Sequence, residues 1–301
     1  MNTTPTVAVA AVTYNRHEDL ATLLGALDSQ DTAIASVHLV DSGTYSAESI
    51  VRAAPGTIEY LRSHRNLGGA GGFSLAILSA LASGAEWIWI MDDDAHPEAP
   101  QVLTHLLKAA RERRQDVVVP LIVAPTDHHK LSFPFRIDGH LTHERDAVER
   151  LEFIENIGQF FNGALIRSDV FFRVGIPDVK MFIRGDETDF MLRLRKARIP
   201  FGTVTTVALS HPPGWGEVQE VLGDRLHVLV PENDFKKFYF FRNRGYLTRK
   251  YRRARSLVAD AIGYPIYFVT RRDLKGFSQW FKAYWSGIRG RKFGPPDEFG
   301  F

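Results

Sequence analysis

Apolar runs and polar breaks alternate regularly through the first 125 residues. Residues 7–12 (VAVAAV) are continuously apolar and predict a buried strand. Over residues 17–29, Leu20, Leu23, Leu24 and Leu27 recur at i, i+3, i+4 and i+7, the spacing of one helix face. Further strands are predicted at 36–41 (SVHLVD), 58–61 (IEYL), 86–91 (EWIWIM) and 117–123 (VVVPLIV). A helix opens at the Gly-rich NLGGAGG (66–72) and runs to about Ala82, and another covers 101–113. This βαβα alternation is the signature of a parallel, doubly wound sheet. Residues 126–160 carry many charges and histidines, show no period and read as irregular. Beyond them a strand is expected at 159–166 (QFFNGALI), a helix at 167–175 and an amphipathic helix at 187–198, with Phe190, Leu194 and Ala197 on one face. Residues 201–209 (FGTVTTVAL) predict a strand leading to His211, and the pattern after about 230 is mainly helical. The expected organisation is an α/β domain over 1–230 and a helical extension over 231–301.

Charge sharpens that division. The chain's net charge of +2 hides −10 over residues 1–235 and +14 over 236–292. The second stretch holds 16 Lys and Arg, only Asp260 and Asp273 as acids, and 14 of the 35 aromatic residues. A basic, aromatic-rich end on an acidic body implies an anionic partner such as a membrane surface, nucleic acid or polyphosphate. The longest apolar stretch there, Leu257 to Val269, has 13 residues and contains Asp260 and Pro265. That is short of the roughly 20 residues needed to span a bilayer, so this end is expected to lie on a membrane without crossing it. No nucleic-acid-binding motif is present, and no nucleic acid partner is expected. The first twenty residues have no basic n-region or cleavage site and read as a strand entry, not a signal peptide. Cysteine is absent, which excludes thiol nucleophiles, Cys-ligated zinc and iron–sulfur clusters.

Four constellations carry chemistry. Asp92-Asp93-Asp94 ends a hydrophobic strand, at the sheet edge where open α/β folds bind ligands. Three adjacent carboxylates repel unless water or a cation compensates them. Asp92 and Asp94, one residue apart, project to the same side of an extended chain. They suit Mg²⁺ or Mn²⁺, which takes one or two carboxylates plus phosphate oxygens. Arg65-Asn66-Leu67-Gly68-Gly69-Ala70-Gly71-Gly72 lets backbone approach a phosphate closely at a helix start. It fits neither the Walker A loop nor the dinucleotide fingerprint. Gly185-Asp186-Glu187-Thr188-Asp189 opens the amphipathic helix, where acids complement the helix dipole or supply a general base. His211, followed by Pro212-Pro213-Gly214-Trp215, sits where an imidazole could complete a divalent site beside a mobile lid. A nucleotidyltransferase also pairs a Gly-rich loop with metal carboxylates.

In their order, these features resemble the inverting family 2 glycosyltransferases of GT-A fold. The likeness rests on Val12-Thr13-Tyr14-Asn15-Arg16, Asp41 ending the second strand, Asn66-Leu67-Gly68, Asp92-x-Asp94, the GDETD segment and the late His211. A narrower resemblance is to the actinobacterial galactofuranosyltransferases that initiate cell-wall galactan. It is carried by NLGGAGGF (66–73), FNGALIR (161–167), FIRGDE (182–187), PFGT (200–203), RNRGY (242–246) and VTRRDLKG (269–276).

The resemblance implies a GT-A nucleotide-diphospho-sugar transferase fold, with a mostly parallel central sheet and a C-terminal helical extension. It implies UDP-galactofuranose as donor, Mn²⁺ or Mg²⁺ as cofactor, and a rhamnosyl-GlcNAc polyprenyl-diphosphate acceptor. A rhamnosyl- or other hexosyltransferase of the same family is the alternative. Thr13, Arg16 and Asp41 would hold uracil and ribose. Arg65, Asn66 and Gly69, with Asp92 and Asp93, would face the rest of the donor, and Trp215 would stack on sugar. Asp94, Asp92 and His211 would ligate the metal. Asn162 and Gly163 would line the acceptor side. Glu187 or Asp186 would be the base. The usual family motif is Glu-Asp-x-Asp/Glu, and the inverted order here leaves both candidates open. The expected location is cytoplasmic, peripheral at the inner face of the plasma membrane.

Overall fold

The computed structural model describes residues 5–221 and 226–295. The chain forms two compact units. The first comprises the chain up to Leu67, Gly71–Pro177 and Phe190–Pro213. The second comprises Gly68–Ala70, Asp178–Asp189 and the chain from Gly214 onward.

The first unit opens with β1 (Val7–Thr13), α1 (His17–Asp28), β2 (Ser36–Asp41), α2 (Glu48–Ala53) and β3 (Ile58–Arg62). Next come α3 (Gly68–Ala82, whose first three residues belong to the second unit), β4 (Trp87–Asp92), β5 (His96–Pro97), α4 (Val102–Glu112) and β6 (Val117–Ala124). The sheet runs β3-β2-β1-β4 in parallel, as the βαβ pattern requires. β1 is buried on both faces, so its residues alternate between two cores. Val7, Val9 and Ala11 meet Leu20, Leu23 and Leu27 of α1 and Leu103 and Leu106 of α4. Ala8, Ala10 and Val12 meet Phe73, Ala76, Ile77 and Ala80 of α3.

Residues 126–160, expected to be irregular, hold β7 (Asp127–Ile137), β8 (His140–Glu144), α5 (Arg145–Glu149) and β9 (Phe153–Glu155). Leu131, Phe133, Phe135 and Ile137 do alternate, but Pro134 and the preceding histidines break the pattern in a longer window. Asp138-Gly139, with φ of 49° and 88°, is the two-residue hairpin turn between paired Ile137 and His140.

The strand expected over 159–166 contracts to β10 (Leu165–Arg167), which lies antiparallel between β4 and β6. Gly163, at φ 106°, turns the chain ahead of it. Its N–H donates to the Ile90 carbonyl at 2.8 Å and its own carbonyl accepts from Trp89 Nε1 at 2.9 Å. Gly163 is therefore a buried corner. α6 (Ser168–Val174), α7 (Asp186–Ala197, whose first four residues belong to the second unit) and β11 (Phe201–Ser210) follow. β11 is parallel to β6.

In the second unit a hairpin of β12 (Val218–Val221) and β13 (Leu226–Leu229) precedes α8 (Asp234–Lys250), α9 (Ala254–Thr270) and α10 (Leu274–Ile288). Asn233 and Asp273 cap α8 and α10 by accepting from the N–H groups of Lys236 and Gly276, both at 2.8 Å. The aromatic content becomes a core here: Phe241, Tyr264, Phe268, Trp280 and Tyr284 pack together.

Candidate active site

In the first unit, β1 and β4 end side by side and bring together residues 80 positions apart. Thr13 Oγ1 donates to Asp93 Oδ2 at 2.8 Å, and the Tyr14 N–H donates to the same oxygen at 3.1 Å. Arg16 Nη1 bridges Asp93 Oδ1 at 2.7 Å and Asp94 Oδ2 at 2.6 Å. Asp93, expected to touch the donor, is buried and fully engaged by these donors; it anchors the corner. Thr13 is likewise buried and spends its hydroxyl on Asp93, so it supports the site from beneath. Asp92 and Asp94 stay half-buried on either side of Asp93. Burial lifts Asp92 well above the usual carboxylate range, and the charges of Asp94 and Asp93 add to it. Burial raises Asp93 too, against the pull of Arg16 and Thr13. Asp94 is pushed up by burial, but His211 and Arg16 outweigh that and hold it below the usual range.

One carboxylate oxygen from each of Asp92, Asp93 and Asp94 lies within 4.8 Å of the others. Oδ1 of Asp94 is buried without a hydrogen bond, and His211 Nε2 stands 3.3 Å from it. A buried anionic oxygen with no donor costs stability unless a cation meets it. An oxygen-rich donor set with one imidazole fits a hard divalent cation such as Mg²⁺ or Mn²⁺.

Asp41, expected to hold uracil and ribose, ends β2. It is fully buried, and its carboxylate already accepts from Gly43 N (2.8 Å), Ala47 N (2.9 Å), Tyr60 OH (2.6 Å) and Arg62 Nη1 (2.9 Å). These bonds build the loop after β2 and leave uracil no free lone-pair direction without rearrangement. Asn15, at φ 59°, braces the same loop by accepting from Thr44 N at 2.7 Å and Tyr45 N at 3.1 Å. Asn15, Tyr60 and Arg62 together hold this loop, Arg62 from the position opposite Asp41 on the neighbouring strand. Tyr14 and Tyr45 point outward from this region, 48% and 70% exposed. Arg65 is exposed and Asn66 half-buried, just ahead of α3.

In the second unit, Asp186 and Glu187 form the first turn of α7. They differ in access: Asp186 is 6% exposed and Glu187 is half-buried. Burial pushes Asp186 from 3.8 up to about 6, despite backbone hydrogen bonds that favour its ionised form. Asp189, one turn on, is buried and bound by Lys250 Nζ at 2.7 Å and Tyr251 OH at 2.8 Å. Arg184 makes a two-pronged pair with Glu217, both contacts at 2.7 Å. Gly69 lies in the first turn of α3 and Trp215 is 38% exposed.

Residues 8–173 match the family described as Glycosyl transferase family 2. The chain belongs to glycosyltransferase family 2. Galactofuranosyltransferase GlfT1 of Mycolicibacterium smegmatis is 38% identical over 299 residues, covering 97% of this chain and 99% of that protein. GlfT1 of Mycobacterium tuberculosis is 36% identical over 301 residues, covering 97% and 98%. Among solved structures, S. aureus TarS 1–349 in complex with UDP-GlcNAc aligns with a TM-score of 0.59 at 13% identity, over 94% of this chain and 81% of that one. That likeness is one of fold, and this family 2 glycosyltransferase has the expected GT-A architecture with C-terminal helices.

Proposed function

We propose that this glycosyltransferase moves galactofuranose from UDP-galactofuranose to a rhamnosyl-GlcNAc acceptor carried on polyprenyl diphosphate, inverting the anomeric centre. The observation that carries the reading is the likeness to GlfT1 across 97% of the chain, which includes the base segment and the C-terminal helices.

Asp94 and His211, with Asp92, would hold a divalent cation. Bound there, such an ion neutralises charge on the departing diphosphate. Thr13 and Arg16 fix Asp93 and so set the direction in which Asp92 and Asp94 face the donor. Asp41, through its loop, shapes the seat for the nucleoside, while Arg65, Asn66 and Gly69 meet the donor beyond it. Trp215 offers a face for sugar stacking. Glu187 is the base, because it is accessible where Asp186 is buried. As the acceptor oxygen bonds to the anomeric carbon, the carbon–oxygen bond to UDP breaks and Glu187 takes the hydroxyl proton. A single displacement on an oxocarbenium-like path gives the β-glycoside from the α-linked donor.

The enzyme works at a membrane surface, at its cytoplasmic face. In support, the solvent side of α9 is apolar: Leu257, Val258, Ala261, Ile262 and Val269 are exposed. The helix's one acid, Asp260, is buried against Arg244 at 2.6 Å. Arg252, Arg253 and Arg255 flank its start and Arg271 and Arg272 its end. No helix among the described residues is long and apolar enough to cross a membrane. An apolar face between basic ends suits a helix lying in an anionic lipid interface.

A panel of UDP- and dTDP-sugars, scored by nucleotide release with a synthetic rhamnosyl-GlcNAc lipid, tests the reaction. Turnover confined to UDP-galactofuranose is expected. Preference for dTDP-rhamnose or another hexose donor would overturn the reading.

A further inference from the structure

The chain reaches the base through backbone that few sequences adopt willingly. Phe182 and Arg184 sit at φ 63° and 61°, and Gly185 at 103°, immediately before the first turn of α7. A non-glycine residue in left-handed conformation costs on the order of 1–3 kcal/mol and persists only where its surroundings over-determine it. Here the surroundings take hold of the carbonyls one by one. Asn243 Nδ2 donates to Met181 O at 3.0 Å, to Ile183 O at 2.8 Å and to Arg184 O. Arg242 Nη2 donates to Met181 O at 3.0 Å, and Ala70 N to Phe182 O at 2.9 Å. Four successive carbonyls are thus captured, three of them by two adjacent residues of α8. A Cβ on Gly185 would lie 3.0 Å from that of Asn243, so the loop and the asparagine are seated directly on each other.

The asparagine at this position carries a cost as well as its three bonds. Asn243 is fully buried, and its Oδ1 has no hydrogen-bond partner. An unsatisfied buried acceptor is costly, and a leucine of similar size would avoid it. What the asparagine supplies, and leucine cannot, is the pair of amide donors aimed at the loop. Arg242 is buried as well, and its other prong donates to Lys292 O at 2.7 Å, so the C-terminal end of the described chain holds the clamp in turn.

We infer that Asn243, braced by Arg242, is a positioning residue for the proton-transfer step: by gripping the carbonyls of Met181, Ile183 and Arg184 it sets the direction in which the first turn of α7 presents Glu187. The inference rests on the reading of Glu187 as the base. It makes α8 part of the catalytic apparatus as well as part of a membrane-facing extension.

The test uses the full-length enzyme with Mn²⁺, UDP-galactofuranose and the synthetic acceptor. Asn243→Leu should lower kcat about 100-fold, the scale of a misplaced reacting group, while UDP affinity stays within about twofold. Amide exchange in the 178–189 peptide should rise in the same variant. Asn243→Ser, which keeps one donor, should recover part of the rate, and it carries the test by the same criteria if Asn243→Leu does not fold. Exchange that rises while kcat stays within about twofold of the parent would overturn the inference. So would kcat and UDP affinity falling in step with melting temperature, since a purely structural role predicts that. Glu187→Gln separates the two readings. A parental rate in that variant removes the base assignment and the inference with it. An inactive Glu187→Gln beside fully active Asn243 variants removes the inference alone.

Discussion

The aspartate corner and the base segment solve the same problem in opposite ways. Both hold several carboxylates within a few residues of one another. In the corner the carboxylates are contiguous in sequence, at the end of one parallel strand, and the partners that fix them come from the next strand's end. In the base segment the carboxylates open a helix, and the partners of Asp189 and of the loop before the helix lie about sixty residues downstream on α8. The corner is therefore assembled by sheet register, and the base segment by packing of a separate helical layer within its own unit. A register error would scramble the corner completely, whereas loosened packing would degrade the base segment by degrees.

That contrast predicts an order of damage. Asp94→Asn removes the charge from a carboxylate whose buried Oδ1 has no hydrogen bond and should cost several kcal/mol of transition-state stabilisation, on the order of 10³-fold in kcat/KM. Transfer assays with and without chelator check it, and activity that survives both the substitution and the chelator would refute the corner's role. Glu187→Gln should lower kcat by about 10²–10³-fold and leave UDP binding intact, as titration calorimetry would show. An unchanged rate would move the base to Asp186.

The same contrast explains what could be seen in the sequence. The corner was legible because contiguity is a one-dimensional property: Asp92, Asp93 and Asp94 announce themselves, and the apolar run before them places them at a strand end. The doubly wound sheet was legible for the same reason, since its period lies within single windows. Which of the three carboxylates faces inward was not legible, because that depends on Thr13 and Arg16 arriving from β1. The engagement of Asp41 by Tyr60 and Arg62 was equally hidden, being a matter of strand register. The hairpin of β7 and β8 was missed although Asp138-Gly139 is a strong turn signal, because flanking histidines and Pro134 masked a sound alternation. Asn243 lay furthest from view. The phrase RNRGY carries a likeness, but nothing local to it says that its amide faces the carbonyls of Met181, Ile183 and Arg184.

Asp186 sharpens the comparison at intermediate magnitude. Its pKa is raised in the folded state, from 3.8 to about 6, so the folded protein binds the extra proton over that interval. Stability then falls as pH rises through the window from about 4 to 6, and the penalty is fully present above it. Asp186→Asn removes the ionising group and should raise stability at pH 7 by up to about 3 kcal/mol. The gain should vanish below about pH 4. Denaturant unfolding at pH 4 and pH 7 measures both, and a variant with the parental pH dependence would show that burial of this carboxyl is not what perturbs it.

The smallest expected effect concerns the outer face of the second unit, which the first unit does not match. Ile262 is 48% exposed in the middle of the apolar side of α9, with arginines beyond both ends of the helix. If that side lies among lipid headgroups, Ile262→Glu forfeits one buried aliphatic side chain and places a negative charge against anionic lipid. Burying an isoleucine is worth about 1.5–3 kcal/mol, so vesicle affinity should fall about tenfold or more. The fold should be little affected, since the side chain is about half exposed, and turnover of a water-soluble acceptor should match the parent. Flotation with vesicles rich in phosphatidylglycerol, compared with neutral phosphatidylcholine vesicles, reads the charge and apolar contributions separately. Parental binding to the anionic vesicles by the glutamate variant would clear α9 of the role and leave the basic residues of α8 and α10 as the membrane contact.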